Sequence, residues 1–297
     1  MSTMTRWNND DIASNFMTKE QVKRICPLVF SVEPTRNVSG KYIIASTETV
    51  IDDMERLGWK IVEAHQRKAS SRSQESGQQF SYHQIIFQNP DIKITKTVNG
   101  VETVESYPRI ILGNSHDGCN AFRFAVGLLR LVCSNGTIIA SQKFADLRII
   151  HMNYSFEELR ELVNKIIAEL PAQVIQMNKM QNTVLTQEQK NELALEAVRI
   201  RFDDEEREVD EETISEILEP LRDEDKEDSL WVTFNIIQEK MIKGGFSVSN
   251  FDEEGNTKVR KVRKITSFIT DMDINKKLWR AAEKYLPEEL EVQEEAA

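Results

Sequence analysis

Ile92-Lys93-Ile94-Thr95-Lys96-Thr97-Val98-Asn99-Gly100-Val101-Glu102-Thr103-Val104-Glu105 is the stretch whose reading decides the fold class. Two runs rich in Val, Ile and Thr flank Asn-Gly, the dipeptide best suited to the positive φ angles of a two-residue hairpin turn. The pattern predicts antiparallel strands over 92–98 and 101–105. Working outward, similar runs predict strands over 60–65, 80–88, 109–112, 121–133, 137–140 and 147–152. In the 121–133 run Gly127 breaks the alternation, as a bulge or bend would. Two helices interrupt the strands. Ile12, Phe16, Val22 and Ile25 recur at helical spacing before Pro27, and a helix over 48–57 is capped by Ser46 or Thr47 and stopped by Gly58.

Past Ser155 the apolar period changes from two to 3.6. Leu159, Leu162, Val163, Ile166, Ile167 and Leu170 make a helical stripe behind an acidic first turn. Further helices are predicted over 187–202, 211–218, 230–242 and 274–285. Strands first and helices afterwards predict an α+β protein rather than an alternating α/β one. Its N-terminal half, 1–153, is largely antiparallel and strand-rich with two helices. A helical half, 154–287, packs on it, and an acidic tail, 288–297, follows.

A 297-residue chain with 40% hydrophobic and 29% charged residues is long and apolar enough to bury a core. No run reaches the ~18 apolar residues of a membrane span, and the first residues lack the basic-then-apolar layout of a signal peptide. Cys26, Cys119 and Cys133 are an odd number at wide spacing, which points away from disulfides and structural zinc. The expectation is a protein of the cytoplasm with no membrane contact.

The net charge of −11 is unevenly spread. Residues 1–150 carry 18 Lys and Arg against 15 Asp and Glu, while 151–297 carry 20 against 34. The acidity concentrates over 203–228, with 15 acidic and 3 basic residues. Beyond it stands the densest positive patch, Lys258, Arg260, Lys261, Arg263 and Lys264, five basic residues in seven. Clustered Lys and Arg displace counterions from a nucleic-acid backbone; equally, this patch could pair internally with the acidic stretch. Arg67, Lys68 and Arg72 open a long polar loop, and Arg123 and Arg130 punctuate an apolar strand beside aromatics. Arginines beside aromatics on a sheet stack bases and pair phosphates, although an Arg on a strand is more commonly a solvated outward residue.

Nucleotide-binding glycine loops, a Gly-x-Ser-x-Gly elbow and a convincing cysteine nucleophile are all missing from the sequence. His65, His83, His116 and His151 lie in the strand-rich half without metal-ligand spacing. A metal site built from His83, His116, Asp117 and His151 is nevertheless one alternative. The plainer reading is of turn and strand-end histidines that bond locally. Asn114-Ser115-His116-Asp117-Gly118 likewise reads first as a tight turn, and second as a loop of small donors and acceptors suited to phosphate or a partner.

That turn, followed about a dozen residues later by Leu129-Arg130-Leu131-Val132-Cys133-Ser134-Asn135-Gly136-Thr137, resembles the phage/plasmid-like family with domain of unknown function 932. The motif positions here are Asn114, Ser115, His116, Asp117, Gly118, Cys133 and Asn135, and the likeness spans about 42–286. Cys119 stands where a small residue such as Ser is common in the family. The resemblance implies a mobile-element setting and carries no catalytic residue, cofactor or metal with it.

The expected function is therefore non-enzymatic: a phage or plasmid protein associated with nucleic acid, binding single strands in replication or recombination, with no cofactor. A protein-interaction or host-takeover factor, its acidic face drawing in a host or phage protein, is the alternative from a different class. The helices and acidic tail are compatible with a homo-oligomer.

Overall fold

A computed structural model of the chain describes residues 16–31, 46–66, 82–98, 101–115, 122–130, 136–139, 147–149, 154–251 and 257–287. The chain divides into two compact units, Met1–Leu170 and Pro171–Ala297. Antiparallel strands fill the first half and helices dominate the second, which is the α+β class the sequence predicts.

The first unit holds a seven-stranded antiparallel sheet: β1 (Lys60–Gln66), β2 (His83–Gln88), β3 (Ile94–Val98), β4 (Val101–Asn114), β5 (Phe122–Arg130), β6 (Gly136–Ile139) and β7 (Leu147–Ile149). Its main path runs β1-β2-β4-β5-β6, with β3 also paired to β4 and β7 to β5. Val98 pairs with Val101, so the Asn-Gly hairpin forms where the sequence places it; the two turn residues lie outside the described ones. The cross-strand rows Ile85, Leu112, Phe124 and Phe87, Ile110, Val126 are fully buried. Each such side chain removed from water contributes about 1.5–3 kcal/mol.

A register shift between Ile61 and Glu63 lets both Ile61 and Ala64 face inward, because the extra residue flips the parity of the strand. The break predicted around Pro108 does not occur. β4 runs unbroken through it, and Pro108 falls between the residues paired to β3 (up to Ser106) and those paired to β2 (from Arg109). The missing N–H thus sits where β4 changes neighbours. Gly127 causes no bulge either, since the β4–β5 register is continuous from Ser106↔Arg130 to Gly113↔Arg123.

Helix α1 (Lys19–Ile25) starts later than the spacing predicts, because Thr18 and Gln21 close a capping box. Residues up to 15 lie outside the described ones. A short 3-10 turn, Pro27–Phe30, follows. Ser46 caps α2 (Thr47–Arg56), which buries Val50, Ile51 and Met54, and Gly58, at φ +84°, ends it. Helix α3 (Phe156–Asn182) begins in the first unit and ends in the second, running on through Pro171.

The second unit contains α4 (Gln187–Phe202), α5 (Glu211–Leu218), α6 (Leu230–Lys243), the hairpin β8 (Ser247–Phe251) and β9 (Thr257–Lys261), and α7 (Phe268–Glu283). Capping decides the first two boundaries: Thr186 and Gln189 form a capping box, and Asp210 bonds the Thr213 amide. Helix α6 is buried almost all round and forms the core. Trp231, Phe234 and Trp279 interlock on it with ring centroids 5.6–6.5 Å apart, and Gln238 donates to Asn275 in the same interior. No described helix is long and apolar enough to cross a membrane.

Candidate functional site

Three polar groupings stand out, and they differ in whether their charges and hydrogen bonds are met from within. The first surrounds the start of the Asn114 motif. Asn114, the last residue of β4, pairs across the sheet with His83, the first of β2. Its Nδ2 donates to Thr47 Oγ1 at 2.9 Å, and the same hydroxyl lies 2.9 Å from His83 Nε2. Asn114 Oδ1 accepts from the Ser115 amide at 2.8 Å. Thr47, His83, Asn114 and Ser115 are all essentially sealed from solvent. Thr47 is the residue after the N-cap, so it joins α2 to the sheet rather than capping the helix. His116, Asp117, Gly118, Cys133, Asn135 and His151 lie outside the described residues. Among the described residues no group of three or more His, Cys, Asp and Glu is arranged to hold a metal ion.

Elsewhere in this unit, charges are also compensated. Arg109 donates to Glu63 at 2.6 Å and to Gln88 at 3.2 Å, and His65 lies 3.2 Å from the other Glu63 oxygen. Burial works against the Glu63 charge, yet His65 and Arg109 hold its carboxyl below the usual range. Asp53 takes bonds from Arg56 and from the Tyr154 hydroxyl; burial, then the bond to Asp53, pushes the Tyr154 phenol up. Arg123 is half-buried opposite Gly113, and its Nε has no hydrogen-bond partner. Of Arg130 only the backbone is described, and Arg67, Lys68 and Arg72 lie outside the described residues.

The hairpin β8–β9 separates the other two groupings. Because side chains alternate along a strand, the pair Val248 and Arg260 lines a cleft on one side, and the pair Ser249 and Val259 lines a cleft on the other. The hairpin is held by α5, whose Thr213 hydroxyl donates to Ser247 O and whose Glu216 accepts from the Ser247 amide. Gly244 and Gly245, at φ +69° and +95°, turn the chain from α6 into β8. A Cβ on Gly244 would stand 2.5 Å from Val262 O. That close approach lets Gly245 N and Ile265 N bond Val262 O and Ile242 O, fixing the segment that carries the basic residues.

The larger cleft, about 1570 Å³, lies between α4, α5, the start of α6 and the hairpin. Ten carboxylates line it against Lys190 and Lys226. The smaller, about 580 Å³, has the opposite sign: Arg201, Arg207, Arg260, Lys261, Arg263 and Lys264 line it, together with Thr266, Ser267 and Thr270, and no carboxylate among the described residues does. Arg260, Lys261, Arg263 and Lys264 are exposed and form no ion pair among the described residues. Within the acidic stretch, Asp203 pairs with Lys277, Asp225 with Arg222 and Asp228 with Lys190. Lys258 is described only in its backbone. Sequence reasoning missed Arg201 and Arg207, which sit beside Asp203 and Asp204 and look like neutralised helix-end cations. It also missed the start of α7: Ser267 caps the helix by accepting from the Thr270 amide, which puts a helix N-terminus into the basic cleft.

The UPF0380 protein YfjQ and the UPF0380 protein YafZ of Escherichia coli (strain K12) are each 29% identical to this chain over 270 residues, covering 91% of this chain and 92% of the relative. No solved structure matches. The family model described as "Domain of unknown function (DUF932)" matches residues 34–279, which take in the Thr47–His83–Asn114 cluster, both clefts and the hairpin between them; the chain belongs to the DUF932 family.

Proposed function

We propose that this protein acts by binding nucleic acid through the basic cleft, without catalysis. One observation carries the reading: six cations from α4, the turn after it, β9 and the segment after β9 surround one cleft that has no carboxylate in its lining among the described residues. Cations gathered in one cleft of a protein of net charge −11 are the groups that release counterions from a phosphate backbone. The resemblance of the Asn114 to Asn135 motif to phage/plasmid-like proteins supports a mobile-element setting in the host cytoplasm, with single strands in replication or recombination as the target. The test is fluorescence anisotropy with labelled single-stranded DNA, duplex DNA and RNA across a salt series. Four to six phosphate contacts give a slope of log affinity against log salt of about −3 to −4 on a single strand. No binding of any of the three at low salt would sink the reading.

The acidic cleft favours a second reading, a surface for a basic protein partner. A partner recovered from host lysate in stoichiometric amount, and retained after nuclease treatment, supports it. Recovery that vanishes with nuclease assigns the capture to the nucleic acid instead.

A further inference from the structure

Four features line the basic cleft. Arg201, in the last turn of α4, is fixed in place: its Nη2 donates to Arg263 O at 2.8 Å, while its Nε is buried without an acceptor. Arg207 stacks on Phe202 with its guanidinium carbon 4.1 Å from the ring centroid, a contact that limits the freedom of that side chain. Arg263 and Lys264 stand exposed at the rim. The fourth wall is the N-terminus of α7, a sixteen-residue helix with Ser267 as its cap and Thr266 and Thr270 beside it. In a helix start the first N–H groups lack intrahelical partners and carry partial positive charge.

An anion in the cleft meets Arg201 and Arg207 already held by these contacts, which limits the side-chain entropy lost on binding. The nearest carboxylate on α7, Asp271, does not line the cleft. Burial pushes its pKa up to about 6, against the opposing influence of Lys264 and the bond from Asn275; at neutral pH it is ionised, and those two partners offset its charge. Asp203, next to Arg201, is bonded to Lys277. The volume, about 580 Å³, suits a group of nucleotide size rather than the width of a duplex.

We propose that the basic cleft is a receptor for a phosphomonoester, gripped by Arg201, Arg263, Lys264 and the N-terminus of α7. A terminal phosphate carries about −1.5 to −2 charges at neutral pH and three free oxygens. An internal phosphodiester carries one charge and must continue the chain on both sides. A cleft lined by several cations therefore favours the more highly charged end of a strand over its interior. The inference rests on the nucleic-acid reading for its source of phosphate, since a small phosphorylated metabolite carries the same group.

The experiment compares one single-stranded oligonucleotide, labelled at its 3′ end, with a 5′-phosphate and with a 5′-hydroxyl at pH 7.5. Inorganic phosphate and a nucleoside 5′-monophosphate serve as competitors. The phosphorylated strand binds tighter by on the order of tenfold, and Arg201→Gln and Lys264→Gln each bring the ratio of the two affinities toward one. Lys264 is exposed, so its variant keeps the test valid if Arg201→Gln fails to fold. Equal affinity for the two strands overturns the receptor and leaves the nucleic-acid reading standing. A preference that survives both substitutions overturns it as well. Binding of the nucleoside monophosphate by calorimetry, where no strand binds, supports the receptor for a small ligand and sinks the nucleic-acid reading. Binding of none of these probes overturns both.

Discussion

The polar cluster at Thr47, His83 and Asn114 and the basic cleft beside β8–β9 differ in where their partners come from. In the cluster, a hydroxyl, an imidazole and an amide from three separate elements turn inward and bond one another. In the cleft, six cations surround a space lined by no carboxylate among the described residues. Buried polar groups are costly unless bonded, so a sealed and mutually bonded set is what a fold needs to join α2 to its sheet. Charge of one sign gathered on a surface does nothing for stability, because like charges repel. The comparison teaches that the motif that marks kinship most strongly in sequence begins in a structural joint. The residues that remain open to a ligand lie more than eighty positions later.

The largest effect is expected from breaking the framework of the cleft without touching a charge. In Gly244→Ala the new Cβ meets Val262 O at 2.5 Å and neighbouring backbone carbons at 2.8 and 2.9 Å, at a φ of +69°. Backbone cannot yield as a flexible side chain does, and the left-handed conformation adds its own strain. The expected cost is about 3–5 kcal/mol, measured by urea unfolding, together with loss of polyanion binding. Unchanged binding in Gly244→Ala would mean that the cleft does not depend on this turn.

Next comes Asn114→Ala, which probes the other side of the comparison. It leaves the Ser115 amide without its acceptor and removes the donor to Thr47 in a sealed site, at about 2–4 kcal/mol. Because the cluster acts as a joint, salt-dependent nucleic-acid binding per folded molecule should be unchanged. A loss of binding with full retention of stability would move the cluster from framework to site.

How much of this was legible in the sequence depended on the range of the interaction. Helices α4 and α5 fall where the sequence puts them because their caps, Thr186 with Gln189 and Asp210, are local signals. The antiparallel sheet followed from alternation and from Asn-Gly. Helix α7 was placed six residues late, at Ile274 instead of Phe268, because the basic run ahead of it masks an ordinary Ser cap. Pro108 reads as a strand end, and only the change of partner along β4 explains why it is not. Arg260, Lys261, Arg263 and Lys264 were legible as a charge run. Arg201 was not, since it joins them through a bond to Arg263 spanning 62 positions. The bond between Thr47 and His83, spanning 36 positions, was hidden for the same reason.

Asp271 sharpens the comparison from its boundary, being a carboxylate that is buried but only partly compensated. Its pKa is raised from an ordinary value near 3.8 to about 6, so the folded protein binds its proton more firmly than the unfolded chain. The sign follows: stability falls as pH rises from about 4 to about 6, and the penalty is full above that. Asp271→Asn, which keeps an oxygen for the Asn275 amide, should gain roughly 2 kcal/mol at pH 7 and almost nothing at pH 4. Thermal melts at the two pH values read this directly, and an equal gain at both would assign it to something other than titration.

The smallest effect separates the two faces of the hairpin. Arg260 and Val259 are adjacent on β9 yet face opposite clefts, so charges on either side are divided by one strand. Neutralising Arg260 as Arg260→Gln removes one phosphate contact, which should weaken single-strand binding about threefold and flatten the salt slope by about 0.7. Neutralising Glu212, which lines the acidic cleft, lowers negative charge by the same amount at a site that makes no phosphate contact. Glu212→Gln should therefore change affinity slightly through the long-range field, an effect that salt screens beyond about 10 Å, while the slope stays as it was. The two substitutions differ in slope more than in affinity. A slope that moves equally in both would show that the nucleic acid senses the net charge of the unit and not one side of its hairpin.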